Sequence, residues 1–563
     1  MKIIIVGGVA GGATAAARIR RLDEQAQIIV FERSGFVSYA NCGLPYYIGG
    51  TITDSRKLTL QTPESFWKRF RIDVRVKHEV TDIDIGKKMV LVRNLESGQV
   101  FEENYDKLIL SPGAKPTRPN LPGVDSSRIF SLRTVEDTMK IRRFVEENQP
   151  KSAVLTGGGY IGLEMAENLV KMGIQVTIIQ RPKQLLSPLD YEMACFVHAH
   201  LREKGVRLML GHSVEGFEEA EGQIKVLLKE EKPLQTDMVL LAVGVTPDTP
   251  LARTAGLELG KKGSIIVNER METSVPDIYA VGDAVEVKHY VTGEKTLISL
   301  AGPANKQGRI AADNVCGGNS VYLGSQGSSV IKVFDLTVAT TGINEQTAKA
   351  AGILFDRLVL SPASHATYYP GAKAMTMKLL YEKDTYRLLG AQIVGYDGVD
   401  KRIDVLAAAI HARMDVIQLK DLDLAYAPPY SSAKDPVNMA GFMAENLKLD
   451  RVKQFHWNEV EKLPRDGSAV LLDTRTRAEY ERGHAEGFIN IPVDDLREHL
   501  EELKQEKPVY VMCQSGLRSY IACRILMQHG IECYNFSGGY RFYQNVMLEQ
   551  CVGTEIMPCG MEK

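Results

Sequence analysis

No run of apolar residues in the chain approaches the roughly 18–20 needed to cross a bilayer, so no membrane span is expected. An excess of one charge is missing too. The 68 Lys and Arg stand against 70 Asp and Glu, a formal net charge of −2. That balance removes the electrostatic case for a nucleic-acid partner and leaves only local basic patches, suited to a phosphorylated small molecule. Cysteine is sparse: 8 in 563 residues do not make a disulfide framework, and most are expected to be buried thiols. There is no low-complexity tract, and Met1 runs directly into KIIIVGG with no room for a signal peptide. The absence of a signal peptide and of a membrane span together point to a cytoplasmic protein.

What is present is length and a repeated pattern. A chain of 563 residues exceeds a single hydrophobic core, which stops growing at roughly 250–300 residues, so three or four domains are expected. Two segments share one plan of β-branched strand, glycine-rich turn, helix and second strand. The first runs through Ile3–Val6, Gly7–Gly12, Ala13–Arg21 and Ile28–Glu32; the second through Ala153–Leu155, Gly157–Gly162, Leu163–Met172 and Gln175–Gln180. This is the βαβ signature of a Rossmann-like dinucleotide-binding unit, present twice.

In the second unit Gly157, Gly159 and Gly162 complete G-x-G-x-x-G, which permits a tight turn and close approach of backbone N–H groups to a pyrophosphate. In the first, Gly7 and Gly12 hold the outer positions and Val9 the middle one. Glu32 ends the following strand, where a carboxylate can bond ribose hydroxyls; the alternative is an exposed strand-end charge. The corresponding residue of the second unit is Gln180, followed by Arg181 and Lys183. Glutamine does not repel a 2′-phosphate and Arg181 could pair with one, so the segment leans to NADPH or dual use. Solvated loop charges are the alternative.

Two such units, with TSVPDIYAVGDA after the second, resemble the pyridine-nucleotide-disulfide oxidoreductase superfamily over about the first 445 residues. The resemblance implies FAD in the first unit and NAD(P)H in the second, with the flavin ring between the nicotinamide and a redox cysteine. It gives Glu32 to the FAD ribose and Asp283 to the flavin's ribityl or phosphate region. The redox cysteine would be Cys42 in SYANCGLPYYIGG. Disulfide reductases of the glutathione-reductase type carry a second cysteine five positions on, where this chain has Tyr47. Cys42 is therefore expected to cycle between thiolate and a sulfenic acid, a persulfide or a mixed disulfide.

That pattern resembles the single-cysteine branch of NADH peroxidases, NADH oxidases and coenzyme A-disulfide reductases. Peroxide- and oxygen-reducing members commonly carry a histidine in the first glycine turn; this chain has Ala10, as the coenzyme A-disulfide reductases do. ASHATYYPGA and LAYAPPYSSAKD resemble the segments that supply two active-site tyrosines in those reductases, here Tyr368 and Tyr426. A phenol can donate its proton to a leaving sulfur. Carried over likewise are coenzyme A contacts at Thr14, Arg18, Arg21, Ser38, Asn41, Asn305 and Lys434, although an exposed helix face often carries arginines without a ligand.

Near the C-terminus, LLDTRTRAEYERGHAEGFINIP, VYVMCQSGLRSYIACRIL and SGGY resemble rhodanese-like domains. In CQSGLRS, Cys513 leads a loop of backbone N–H groups that opens a helix and would stabilise a bound persulfide. By family roles Cys513 accepts the sulfane sulfur, Arg518 shapes the loop, and Asp473 and Arg475 belong to the structural signature. Cys551 and Cys559 match no metal motif, and no metal is expected.

The expected architecture is α/β. It has an FAD-binding domain at 1–148 and 267–322, an NAD(P)H-binding domain at 149–266 and an α+β dimerisation domain at 323–447. A linker at 448–456, a rhodanese-like α/β domain at 457–548 and a tail at 549–563 follow. The whole resembles coenzyme A-disulfide reductase/rhodanese fusions, also described as NAD(P)H-dependent persulfide or polysulfide reductases. A homodimer acting on coenzyme A persulfide, polysulfide or coenzyme A disulfide is implied. The rival readings are an NADH oxidase or peroxidase that uses Cys42 as a sulfenate, and a sulfur-carrier or redox-sensing protein.

Overall fold

The structure is a computed structural model that describes residues 1–503 and 506–552; most of the expected tail, Cys559 included, lies outside the described residues. Two compact units are present: Met1–Leu185 with Gly205–Gly327, and Leu186–Lys204 with the chain from Ser328 onward.

The first unit is built on two five-stranded parallel sheets with the same logic. One has the order Ile278–Ala280, Lys107–Leu110, Lys2–Val6, Gln27–Glu32, Asp73–Val76. The other has the order Arg207–Leu210, Gln175–Gln180, Ser152–Thr156, Met238–Leu241, Ile129–Ser131. In each, the strand before the glycine turn is central and the strand after its helix is the neighbour. Ile3, Ile4 and Ile5 are all fully buried, as a parallel strand covered on both faces requires. The helix Ala301–Val315 returns from far along the chain to pack on the helix Ala10–Leu22. Glycine permits this approach: a Cβ on Gly308 would lie 2.3 Å from the carbonyl oxygen of Gly11.

The second unit holds an antiparallel sheet and a parallel one. The antiparallel order is Ser329–Val333, Leu336–Gly342, Leu388–Gly395, Met375–Glu382, Phe355–Leu360. Helices Val399–His411 and Tyr191–Glu203 pack against it. Lys378 is buried here and bonds Asp190 and Glu345 at 2.7 Å each, with Glu192 also in contact, so one lysine neutralises part of a buried acidic cluster. The parallel order is Lys453–Phe455, Cys533–Phe536, Val509–Met512, Val470–Asp473, Ile489–Asn490. Its edge strand Lys453–Phe455 falls within the stretch expected to be linker. Three residues are too short for a readable period, yet Phe455 is buried with its ring 5.2 Å from those of Tyr510 and Phe536.

Candidate active site

The two glycine turns superpose in their local chemistry. Gly7 and Gly157 have φ of +95° and +106°, open to glycine alone, and their N–H groups donate to Phe31 and Ile179 carbonyls at 2.8 Å. A Cβ on Gly12 would stand 1.9 Å from the Gly7 oxygen, and one on Gly162 2.2 Å from the Gly157 oxygen. The middle position differs because it is less demanding. Val9 has φ of −100° and Gly159 −85°, so a side chain is allowed at both. A Cβ on Gly159 would meet nothing within 4 Å. Neither following helix has a side-chain N-cap bond. Their first N–H groups are thus left for an anion, with open space before the second, which fits a dinucleotide pyrophosphate at each turn.

The strand ends match as well. Glu32 Oε2 accepts the Gly8 N–H at 2.8 Å and its Oε1 the Ser34 N–H at 2.9 Å. Burial pushes this carboxyl up while the two N–H bonds act against it. Gln180 Oε1 accepts the Gly158 N–H at 2.9 Å, the same seat with an amide in place of the acid. Its Nε2 donates to the Gln184 carbonyl at 3.3 Å, and Arg181 and Lys183 are exposed beside it. Asp283 lies in the turn Gly282–Ala284 after strand Ile278–Ala280, and Arg133 donates to its Oδ2 at 2.6 Å. Arg133 escaped the sequence reading because no local motif marks it.

Cys42 sits on the single turn Asn41–Gly43 that opens the helix Leu44–Ile48. The segment is laid against the first glycine turn by Ser38, whose φ is 49° and whose N–H donates to the Gly8 carbonyl at 2.8 Å. Cys42 is exposed and free. Its desolvation is therefore partial, yet that burial pushes the thiol up, helped by the charge of Glu164 and opposed by Arg133. Tyr47, at the place of a second cysteine, is a packing residue: Arg142 lies 5.7 Å over its ring and donates to its carbonyl at 3.0 Å. Glu164, on the helix Tyr160–Lys171, is pushed up to about 7 by burial against a hydrogen bond from Tyr46. That pair too went unread in the sequence.

Thr14, Arg18 and Arg21 fall at helical spacing on one face of Ala10–Leu22. Thr14 Oγ1 bonds Asn305 Oδ1 at 2.6 Å, and Arg18 Nε donates to Asp313 at 2.7 Å. The first unit thus brings Thr14, Arg18 and Asn305 onto one ridge, with Arg21 exposed at its end. Lys434 belongs to the second unit and is also exposed.

In the second unit the phenols of Tyr368 and Tyr426 meet at 2.5 Å, and the bond pushes the Tyr426 phenol up. They come from separate segments, which Arg402 clasps. Its guanidinium, 1% exposed on the helix Val399–His411, donates to Ser364 O at 2.9 Å and Tyr430 O at 3.3 Å. It also reaches Ser431 Oγ at 3.1 Å and Asp435 Oδ2 at 3.0 Å. Arg402 reads in the sequence as one more helix charge, which is why it was missed.

In the rhodanese-like region, Cys513 follows strand Val509–Met512 and is fully buried. Its Sγ accepts from the Gly516 N–H at 3.1 Å and from Ser519 Oγ at 3.2 Å. Gly516 has φ of +98°, a conformation that turns its N–H into the loop. Arg518 bonds Glu479 through two 2.7 Å contacts, which bring Glu479 down to about 2. Glu479 had a legible signal, the T-x-x-E capping box Thr476–Glu479. Arg475 pairs with Asp473 at 2.7 Å in the core and stacks 3.9 Å over Tyr540, whose N–H donates to the Cys513 carbonyl at 2.7 Å.

Comparison with known proteins bears on these sites. The family model for pyridine nucleotide-disulphide oxidoreductases matches residues 1–308, its dimerisation-domain model residues 328–436, and the rhodanese-like domain model residues 456–545. A coenzyme A disulfide reductase of Staphylococcus aureus is 36% identical over 445 residues, 79% of this chain and 100% of that protein. The crystal structure of reduced Bacillus anthracis CoADR-RHD superposes with a TM-score of 0.95 at 48% identity, covering 97% of this chain and 98% of that one. The NAD-dependent persulfide reductase of A. fulgidus gives a TM-score of 0.90 at 38% identity, covering 96% and 100%. The mixed α/β architecture and the FAD- and NAD(P)H-using oxidoreductase character follow from these matches. The chain belongs to the pyridine nucleotide-disulphide oxidoreductase family and carries a rhodanese-like domain behind it.

Proposed function

We propose that the protein uses NAD(P)H to reduce coenzyme A persulfide, polysulfide or coenzyme A disulfide at Cys42, with sulfane sulfur handled at Cys513. The observation that carries this reading is a lone, exposed Cys42 laid on the first glycine turn, in a chain that spans coenzyme A disulfide reductases end to end. Gly7, Gly12, Glu32 and Asp283 would hold FAD, and Gly157, Gly159, Gly162, Gln180 and Arg181 the nicotinamide nucleotide. Bound there, FAD would supply the two-electron chemistry that returns Cys42 to its thiolate at the expense of NAD(P)H. The Cys42 thiolate attacks one sulfur of the substrate S–S bond, forms a mixed disulfide or persulfide, and expels the other sulfur as a thiolate. Tyr426, hydrogen-bonded to Tyr368, donates its proton to that leaving sulfur. Thr14, Arg18, Arg21, Ser38, Asn41, Asn305 and Lys434 are assigned to the coenzyme, its phosphates meeting the cationic groups.

A homodimer fits this reading. Tyr368 and Tyr430 are 74% and 72% exposed, Tyr369 and Tyr426 are exposed as well, and large exposed aromatic side chains of this kind support an interface. The tyrosine pair of one protomer would then serve Cys42 of the partner subunit. Among the described residues no helix is long and apolar enough to cross a membrane, which is compatible with the proposed cytoplasmic location.

The test is anaerobic oxidation of NADH and of NADPH by the FAD-loaded protein with coenzyme A persulfide, coenzyme A disulfide and peroxide side by side. Turnover with a coenzyme A substrate, abolished in Cys42→Ser, is expected. Full turnover by Cys42→Ser would refute the mechanism. Turnover with peroxide alone would favour the sulfenate reading despite Ala10.

A further inference from the structure

Ser519 has a role that the loop motif alone does not assign. It is fully buried on the first turn of the helix Leu517–Gln528, with its hydroxyl 3.2 Å from Cys513 Sγ and 3.1 Å from the Gly516 carbonyl oxygen. One hydroxyl proton thus faces two acceptors. The Gly516 N–H is fixed by its backbone and points at the sulfur at 3.1 Å whatever the charge there. The Ser519 proton can rotate, and a hydroxyl follows the stronger acceptor. A thiolate is a stronger acceptor than a carbonyl; a neutral sulfur is a weaker one. Arg518, the cation nearest in sequence, is held in two bonds by Glu479.

We propose that Ser519 is a catalytic residue of sulfur transfer at Cys513, one that stabilises the thiolate leaving when the persulfide is discharged. The inference rests on the reading of Cys513 as the sulfane-sulfur carrier. In loading, the Cys513 thiolate attacks the sulfane sulfur of a persulfide or polysulfide; the new S–S bond forms as the donor's S–S bond breaks, and the electron pair of that bond leaves on the donor as a thiolate or as a polysulfide shorter by one sulfur. In discharge, an acceptor thiolate attacks the outer sulfur of the Cys513 persulfide. The new S–S bond forms as the Cys513 S–S bond breaks, and the electron pair of that bond returns to Cys513 Sγ as a thiolate. The outer sulfur leaves as the acceptor's persulfide. Ser519 donates to Sγ at that moment, and a better-stabilised leaving thiolate departs faster. In loading the same bond stabilises the attacking thiolate before reaction, so it gives no acceleration there.

This asymmetry is the test. Persulfide loading and discharge of the full-length, FAD-loaded protein are measured separately under alkaline conditions, with polysulfide as donor and coenzyme A thiol as acceptor. Wild type is compared with Ser519→Ala and Ser519→Thr. Discharge by Ser519→Ala is expected to slow by about tenfold, the worth of one hydrogen bond to a charged group, while loading is unchanged or faster. Ser519→Thr, which keeps the hydroxyl, should discharge as wild type does. Equal slowing of both steps in Ser519→Ala, or discharge at the wild-type rate, would overturn the proposal. Should alanine lower the melting temperature, the threonine variant decides: an alanine-like discharge rate would overturn it. Failure of the underlying reading looks different, because wild type itself would then load no persulfide at Cys513.

Discussion

Replacing Arg402 by methionine removes the clasp that holds the two tyrosine segments together. Two nitrogens of the guanidinium converge on Asp435 Oδ2, Nε at 3.2 Å and an outer nitrogen at 3.0 Å, and the group makes further bonds to Gly398 O, Ser364 O, Tyr430 O and Ser431 Oγ. Both partners are buried, at 1% and 3% side-chain exposure. Methionine fills much of the volume but leaves the Asp435 carboxylate with only Ser431 Oγ at 2.6 Å, the Val437 N–H at 3.0 Å and Lys401 at 3.9 Å. Breaking such a pair from one side costs about 3–5 kcal/mol, chiefly through the charge left behind. At roughly 2–4 °C per kcal/mol, the melting temperature should fall by on the order of 6–20 °C. Turnover should fall as well, because the 2.5 Å contact of Tyr368 and Tyr426 depends on the same two segments. The assay is calorimetry of the FAD-loaded variant alongside its turnover with coenzyme A disulfide. Adding Asp435→Asn should recover at least half of the lost stability, since it removes the stranded charge. A methionine variant that melts within about 1 °C of the parent, or a double variant that melts lower than the single one, would refute the reasoning.

Two further outcomes follow from local geometry. Gly12→Ala and Gly162→Ala should each fold poorly or lose their nucleotide, because the new Cβ meets a carbonyl oxygen at 1.9 Å and 2.2 Å; Gly159→Ala, with open space around it, should fold normally and lose only nucleotide affinity, read from FAD content and from the KM for NAD(P)H. The Glu479–Arg518 pair should show in acid. Its folded carboxyl is held near 2, below the unfolded value of about 4.3, so its contribution is present above that value and disappears as pH falls toward 2. The difference in denaturation midpoint between wild type and Glu479→Gln should therefore narrow across that window; a constant gap would mean that the pair's charge does not matter.

How much of this was readable in advance depends on whether a feature is local in sequence. The glycine turns, the strand ends at Glu32 and Gln180, and the Cys513 loop each lie within one short segment, and their constraints are steric. Gly12 must lack a side chain because of Gly7, five residues earlier, so the motif carries its own reason. Even Val9 becomes intelligible once its φ of −100° is known, since that position needs no glycine. The features that escaped are made by residues distant in sequence. Arg133 meets Asp283, Arg402 meets Asp435 and two tyrosine segments, and Tyr46 meets Glu164 across two helices. A charged residue on a helix reads the same whether it is solvated or buried. Lys378 shows the limit, standing as the single charged residue in the stretch MTMKLLY yet 1% exposed among three carboxylates.

The two cysteines show why the distinction bears on mechanism. Cys42 is exposed, and the groups that press on its thiol, Glu164 and Arg133, come from other segments. Cys513 is buried, and the groups that touch its sulfur, Gly516 and Ser519, lie three and six residues away in its own loop. On the proposed function, chemistry at Cys42 depends on how separate elements are assembled, and substitutions remote in sequence should change its rate. Chemistry at Cys513 depends on one loop that carries its own donors, so its rate should respond to substitutions within CQSGLRS and remain insensitive to the flavoprotein half. On the proposed role of Cys513, a domain that brings its own donors carries that site wherever it is placed, and in this chain it follows a pyridine nucleotide-disulphide oxidoreductase.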